Sequence, residues 1–215
     1  MSGPAHAVPQ GAPFDGARLR IVQAGDPVLR KAARELSPEE IISPAIRQLT
    51  GWMKDTMRDA PGVGLAAPQI GLSIQVAVIE DRAEYLRGAT PQQIAERERE
   101  EVPFFALFNP RIVRASEETA EFFEGCLSLS GFAALVRRSL HVTVEYLDES
   151  AQSQRIEARG WFARILQHEI DHLNGRLYID RMEPRSFATS ENLARYWKDV
   201  PVGAVREQLD LNPHK

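Results

Sequence analysis

The stretch Gln167-His168-Glu169-Ile170-Asp171-His172 sets two imidazoles four residues apart with a carboxylate between them. On a helix, residues four apart stack on one face, so His168 and His172 can offer ring nitrogens to one cation. Glu169 stands about 100° round the helix, where it can reach a water on that cation. The chemistry this spacing allows is that of a metal-bound water within reach of a carboxylate. The plainer alternative is a core helix whose histidines bond nearby carbonyls.

A catalytic site of this kind takes three protein ligands and keeps one position open for water. Spacing offers three completions. The long metzincin form is matched at Gly175 but has Tyr178 where its last histidine should stand. A thermolysin-like form needs a glutamate about twenty residues on, and Glu191 is close, although it begins a separate capped helix. Cys126, the only cysteine, lies in Glu124-Gly125-Cys126-Leu127-Ser128 between expected strands. A lone cysteine is commonly a small buried hydrophobe, yet beside a two-histidine helix thiolate ligation competes with that reading. Spacing leaves Glu191 and Cys126 both open.

The elements that must position these groups follow from periodicity. Trp161, Phe162, Ile165, Leu166, Ile170 and Leu173 are apolar nearly all round, with Arg164, Gln167, Asp171 and Asn174 as a narrow polar strip. That pattern predicts a buried helix, with Gly175 just beyond its end. Ser37-Pro38 and Ser43-Pro44 read as helix starts, the second leading into an amphipathic helix that ends near Asp59. Pro61 to Gly71 breaks all periodicity. It reads either as an ordinary connection or as an active-site loop presenting backbone groups and the Gln69 amide. Ile74, Val76 and Val78 predict a strand, Phe104–Phe108 another closed by an Asn109-Pro110 turn, and Ile112-Val113 and Phe122-Phe123 two more. Leu135-Val136, Val142 to Tyr146 and Gln154 to Ala158 continue the series. Strand follows strand without intervening helices, so the expected class is α+β with mostly antiparallel sheets. The charged run 81–101 reads as solvated surface, and residues 183–215 as peripheral, with a helix near Glu191–Lys198 capped by Ser190.

With 215 residues and 43% hydrophobic content the chain can build one good core. Its net charge of −4 gives no case for nucleic-acid recognition. No apolar run approaches the roughly 18 residues of a membrane span, and the N-terminus lacks a secretory layout. One cysteine forms no disulfide framework, so a cytoplasmic setting is expected. His6 and His214 read as inert.

Three motifs carry a family resemblance: Gly62-Val63-Gly64-Leu65-Ala66-Ala67-Pro68-Gln69, Glu124-Gly125-Cys126-Leu127-Ser128 and Gln167-His168-Glu169-Ile170-Asp171-His172. In order and spacing they resemble the signature motifs of peptide deformylases, which remove the N-formyl group from the initiator methionine of new proteins. The resemblance runs from about Leu19 to Arg181. It implies antiparallel sheets around a central metal-binding helix, with Cys126, His168 and His172 as metal ligands and Glu169 as acid/base. It further implies that Gln69 and the Leu127 N–H polarise the formyl oxygen, and that Gly64 and Gly125 lie along the substrate. Val63 and Ile165 would wall its pocket. The implied metal is Fe(II), with Zn, Ni or Co able to substitute. The implied partner is the N-formylmethionyl nascent chain, with transient ribosome association. Domain boundaries on this reading are a flexible extension 1–17, a deformylase catalytic domain 18–185 and a peripheral helical segment 186–215. The sequence departs from many members at Ser130 and Gly131, where proline follows the apolar residue, and at Ala133, where they carry arginine. Its C-terminal segment also differs from the long basic helix that some members use to dock on ribosomes. A general metallopeptidase and a non-catalytic peptide binder with a structural metal are the competing functions.

Overall fold

The computed structural model describes residues 18–211, so the expected extension 1–17, with His6, and His214 lie outside the described residues. In chain order the elements are α1 (Pro38–Ile41), α2 (Pro44–Asp59), β1 (Gly64–Ala66), β2 (Val76–Asp81), α3 (Ala83–Leu86), α4 (Pro91–Arg97), β3 (Val102–Ala115), β4 (Thr119–Gly125) and β5 (Phe132–Ser139). They continue with β6 (His141–Leu147), β7 (Ser153–Arg159), α5 (Gly160–Leu173), β8 (Ala188–Thr189), α6 (Ser190–Asn192) and α7 (Val202–Gln208). α1 and α2 start as their signals predict. The Ser37 and Ser43 hydroxyls accept from the N–H groups of Glu40 and Ile46, with a proline in each first turn.

All pairings between named strands are antiparallel, in a five-stranded sheet ordered β1-β2-β3-β6-β7 and a three-stranded sheet ordered β4-β5-β8. The class is α+β, as the strand succession predicts. β2 is buried at all six positions because both faces of the larger sheet are covered. Val76 and Val78 join Ile46, Leu49, Met53 and Met57 of α2 in one apolar cluster. Ala77 and Ile79 join Ile165, Leu166, Ile170 and Leu173 of α5 in another. Alternate side chains of a strand point to opposite faces, so this one strand serves two cores. On its other side α5 meets the smaller sheet, where Arg164 donates to the Val136 carbonyl at 2.9 Å. The histidine helix is thus held between both sheets.

Three expectations need correcting. Asn109-Pro110 is not a turn: it lies inside β3, where Asn109 takes a φ of +49° and the pairing with β6 shifts. Phe104–Phe108 and Ile112-Val113 are therefore one bulged strand. The Asn109 side chain accepts from Leu36 N at 2.9 Å and donates to Leu36 O at 2.8 Å, tying the preceding segment to the sheet. Residues 81–101 are not solvated throughout, since Asp81 is fully buried and binds Arg99 through two bonds of 2.7 and 2.8 Å. The C-terminal segment also reaches the core: Ser186, Val205 and Leu211 are buried, and β8 extends the smaller sheet. Its helix is capped by Thr189 in place of Ser190, and after α6 it runs on as a π-helical turn, Leu193–Trp197. Among the described residues no helix is long and apolar enough to cross a membrane.

Candidate metal centre and active site

Cys126 directly follows β4 and caps a short 3-10 turn, Leu127–Leu129, its Sγ accepting from the Ser128 N–H at 3.4 Å. α5 brings both histidines to that sulfur. His172 Nε2 lies 3.3 Å from Cys126 Sγ and 3.2 Å from His168 Nε2. Among the described residues these three form the one group able to hold a metal ion, whereas Glu191 sits apart in α6. The crowding leaves its mark on both rings. Burial lowers the His172 pKa well below its ordinary value, and the charge of His168 adds to the fall. Burial would lower His168 too, but hydrogen bonds to Cys126 and Glu124 outweigh it and hold that ring well above the ordinary value. A cation among these lone pairs removes the conflict, and a thiolate with two imidazoles suits a divalent transition metal.

Behind His168 lies a network that sequence reasoning missed. His168 Nδ1 meets Glu124 Oε2 at 3.0 Å. Arg138 grips the same carboxylate through two bonds of 2.9 Å, and Arg164 through one of 2.5 Å. Arg138 reaches on to Asp171 at 2.5 Å, which also accepts from Arg181 at 2.8 and 2.9 Å. Arg164 and Asp171, expected as part of a polar strip, are therefore interior groups, 4% and 7% exposed. Burial alone would raise the Glu124 pKa, but Arg138 and His168 hold it well below the usual carboxylate range. A carboxylate on the outer nitrogen of an imidazole fixes that ring's tautomer and direction.

Glu169 is 4% exposed, and its Oε2 has no hydrogen-bond partner among the described residues. Burial pushes its pKa up to about 7 against the pull of His168 and Arg138. β1 passes directly beside it: a Cβ added to Gly64 would stand 2.2 Å from Glu169 Oε1. Only glycine lets the strand approach so closely. Gly64→Ala is accordingly expected to push the carboxylate aside and lower kcat by about tenfold or more, with an unchanged circular dichroism spectrum. An undiminished kcat would show that the position of Glu169 is not held by β1.

Gln69 comes from the 3-10 turn after β1 and is 1% exposed. Its Oε1 accepts from the Ala66 N–H at 2.8 Å, which turns the amide nitrogen toward Cys126 Sγ at 3.5 Å. The loop 61–71 is therefore an arm of the site and not an ordinary connection. Gln69, Cys126, His168 and Glu169 all border a cleft of about 660 Å³, as do Val63, Gly64, Gly125, Leu127 and Ile165. His172, 1% exposed, lies buried beside them. Leu127 opens its turn, and the first N–H groups of a helical turn have no partner within it.

A family model described as polypeptide deformylase matches residues 18–188. The chain belongs to the peptide deformylase family. Deformylases are metal-dependent hydrolases that remove the formyl group from nascent peptides. Peptide deformylase 1A, chloroplastic, of Solanum lycopersicum is 46% identical over 191 residues, covering 89% of this chain and 67% of that protein. Peptide deformylase 1 of Bifidobacterium longum (strain NCC 2705) is 45% identical over 184 residues, covering 86% of this chain and 82% of its own length. Among solved structures, a class I type b peptide deformylase from Acinetobacter baumannii superposes with a TM-score of 0.69 at 32% identity, covering 78% of this chain and 99% of that one.

Proposed function

We propose that this deformylase hydrolyses the N-formyl group of N-formylmethionyl peptides with Glu169 as its proton carrier. One juxtaposition supports the reading: a buried carboxylate oxygen without a partner among the described residues belongs to a side chain that borders the same cleft as the converging sulfur and imidazole. Cys126, His168 and His172 would hold one divalent ion, Fe(II) in our reading, with Zn, Ni or Co able to replace it. Such an ion supplies Lewis acidity at the formyl carbonyl and lowers the pKa of water it contacts.

Glu169 accepts a proton from the water that attacks the formyl carbon. The Gln69 amide and the Leu127 N–H donate to the formyl oxygen as negative charge gathers there, and loss of one such donor typically costs about 3–4 kcal/mol. Glu169 then passes its proton to the amine as the C–N bond breaks, giving formate and a free N-terminal methionine. The methionine side chain packs between Val63 and Ile165, and the peptide backbone adds as a strand beside Gly64 and Gly125. We place the reaction in the cytoplasm, where reducing conditions keep the free Cys126 a thiol, on nascent chains in transient contact with the ribosome. Residues 18–185 form the catalytic domain in this reading.

The Acinetobacter relative was crystallised with Met-Ala-Ser bound, which makes formyl-Met-Ala-Ser the natural probe. Anaerobically purified, iron-loaded protein is expected to release formate from it and to stop when a chelator removes the metal. Cleavage of an internal peptide bond with no need for the formyl group would instead mark a general metallopeptidase.

A further inference from the structure

We propose that a second cleft, between α4 and the C-terminal helices, binds the downstream part of the peptide and selects acidic side chains there. This rests on the deformylase reading and adds a preference beyond formylmethionine. The cleft encloses about 600 Å³, with Phe122, Trp161 and Trp197 among its walls. The Arg97 guanidinium stands over two of these rings, 4.9 Å from the centroid of Trp161 and 5.5 Å from that of Phe122.

Three arginines gather at Trp161, and two have carboxylates of their own. Arg99 pairs with Asp81, and Arg164 with Glu124. Arg97 pairs with no carboxylate among the described residues. The charges acting on it are Arg99 and Glu96 of its own segment, and Arg164 across the rings. Of the other charged groups on the cleft, Asp199 accepts from Gln93 at 3.3 Å, and Lys198 adds a second cation. A half-buried guanidinium without an anion is costly, and a planar fork laid on aromatic rings is pre-organised to take a carboxylate through two bonds.

The occupant follows from continuity. Both clefts are lined by Phe123, Trp161 and Ser190, so a chain leaving the catalytic cleft crosses only that shared wall. An extended peptide advances about 3.3 Å per residue. A tripeptide spans only about 10 Å, so the chain expected to pass the shared wall and meet Arg97 is a longer one.

The test compares formyl-Met-Ala-Ser with formylated nonapeptides carrying either Glu or Lys at positions five to eight. The wild type is expected to show a KM about fivefold lower for the Glu series, with similar kcat. Arg97→Ala should abolish the difference and Arg97→Glu reverse it, while all three proteins process formyl-Met-Ala-Ser alike. Equal KM values in the wild type, a preference that survives Arg97→Ala, or an Arg97→Ala loss on the tripeptide as large as on the nonapeptides would each overturn the proposal. Tryptophan fluorescence titrated with the unformylated Glu nonapeptide reads the cleft without turnover. Saturable quenching that Arg97→Ala removes supports the site, and its absence in the wild type overturns it. Failure to release formate from formyl-Met-Ala-Ser would count against the deformylase reading alone, since the titration still decides the cleft.

Discussion

Glu169→Ala and Glu169→Gln are each expected to keep the bound metal and to lose about 10²–10⁴-fold in kcat, the usual weight of a general acid/base. The metal should stay because the three converging donor atoms belong to Cys126, His168 and His172. The turnover should go because one carboxylate serves twice, taking the proton of the attacking water and returning it to the amine. Glutamine separates proton transfer from packing, since it keeps the side chain's shape against the close approach of Gly64 but cannot cycle a proton. Neither change should unfold the chain. Among the described residues Glu169 Oε2 has no partner to leave unsatisfied, so the metal-free variants should remain within about 1 kcal/mol of wild type in denaturant. The deciding measurement is formate release alongside elemental analysis of the same samples. Full turnover at full metal content would remove Glu169 from the proton transfers.

The parts of this site that sequence made legible are those whose partners lie within one helical repeat. His168, Glu169 and His172 are read together because a period near four places them together. Cys126 stands far upstream, just past the end of β4, and spacing made it competitive while keeping Glu191 as a minor option; the three-motif resemblance separated them. Glu124, Arg138, Arg164 and Asp171 were harder still. Charged side chains on their own predict solvent, and nothing local shows that α5 and β5 will close on them. The same blindness hid Asp81 and Arg99 inside a run that looks like surface, and let Asn109-Pro110 pass for a turn. A bulge can use the same left-handed asparagine while the strand goes on. Fold class was legible earlier than any of these, because a succession of strands restricts the pairings whatever the partners are.

Replacing Cys126 by Asp is the companion to the Glu169 variants, since it changes the ligand and leaves the proton carrier in place. A thiolate favours softer ions and a carboxylate harder ones, so Cys126→Asp should shift metal preference and remove the thiolate-to-metal charge-transfer band of the Co(II)-loaded protein. Affinity for the original ion should fall by about 10²-fold or more, because even partners one shell further out are worth 10–100-fold. Stability should report the same loss. A ligand present at about 100 times its Kd adds about 2.7 kcal/mol to the folded state, and that increment should shrink in the variant while the two metal-free proteins unfold alike. The scaffold favours a local reading of any change. The Ser128 N–H and the Gln69 amide both reach Cys126 Sγ, and an aspartate at that position still offers them an acceptor. If the spectrum, the metal content and the metal-induced stabilisation all matched wild type, the sulfur would not be a ligand. The ion would then rest on His168 and His172 with a third donor from outside this cluster, and the geometry argued for Gln69 and Leu127 would lose its centre.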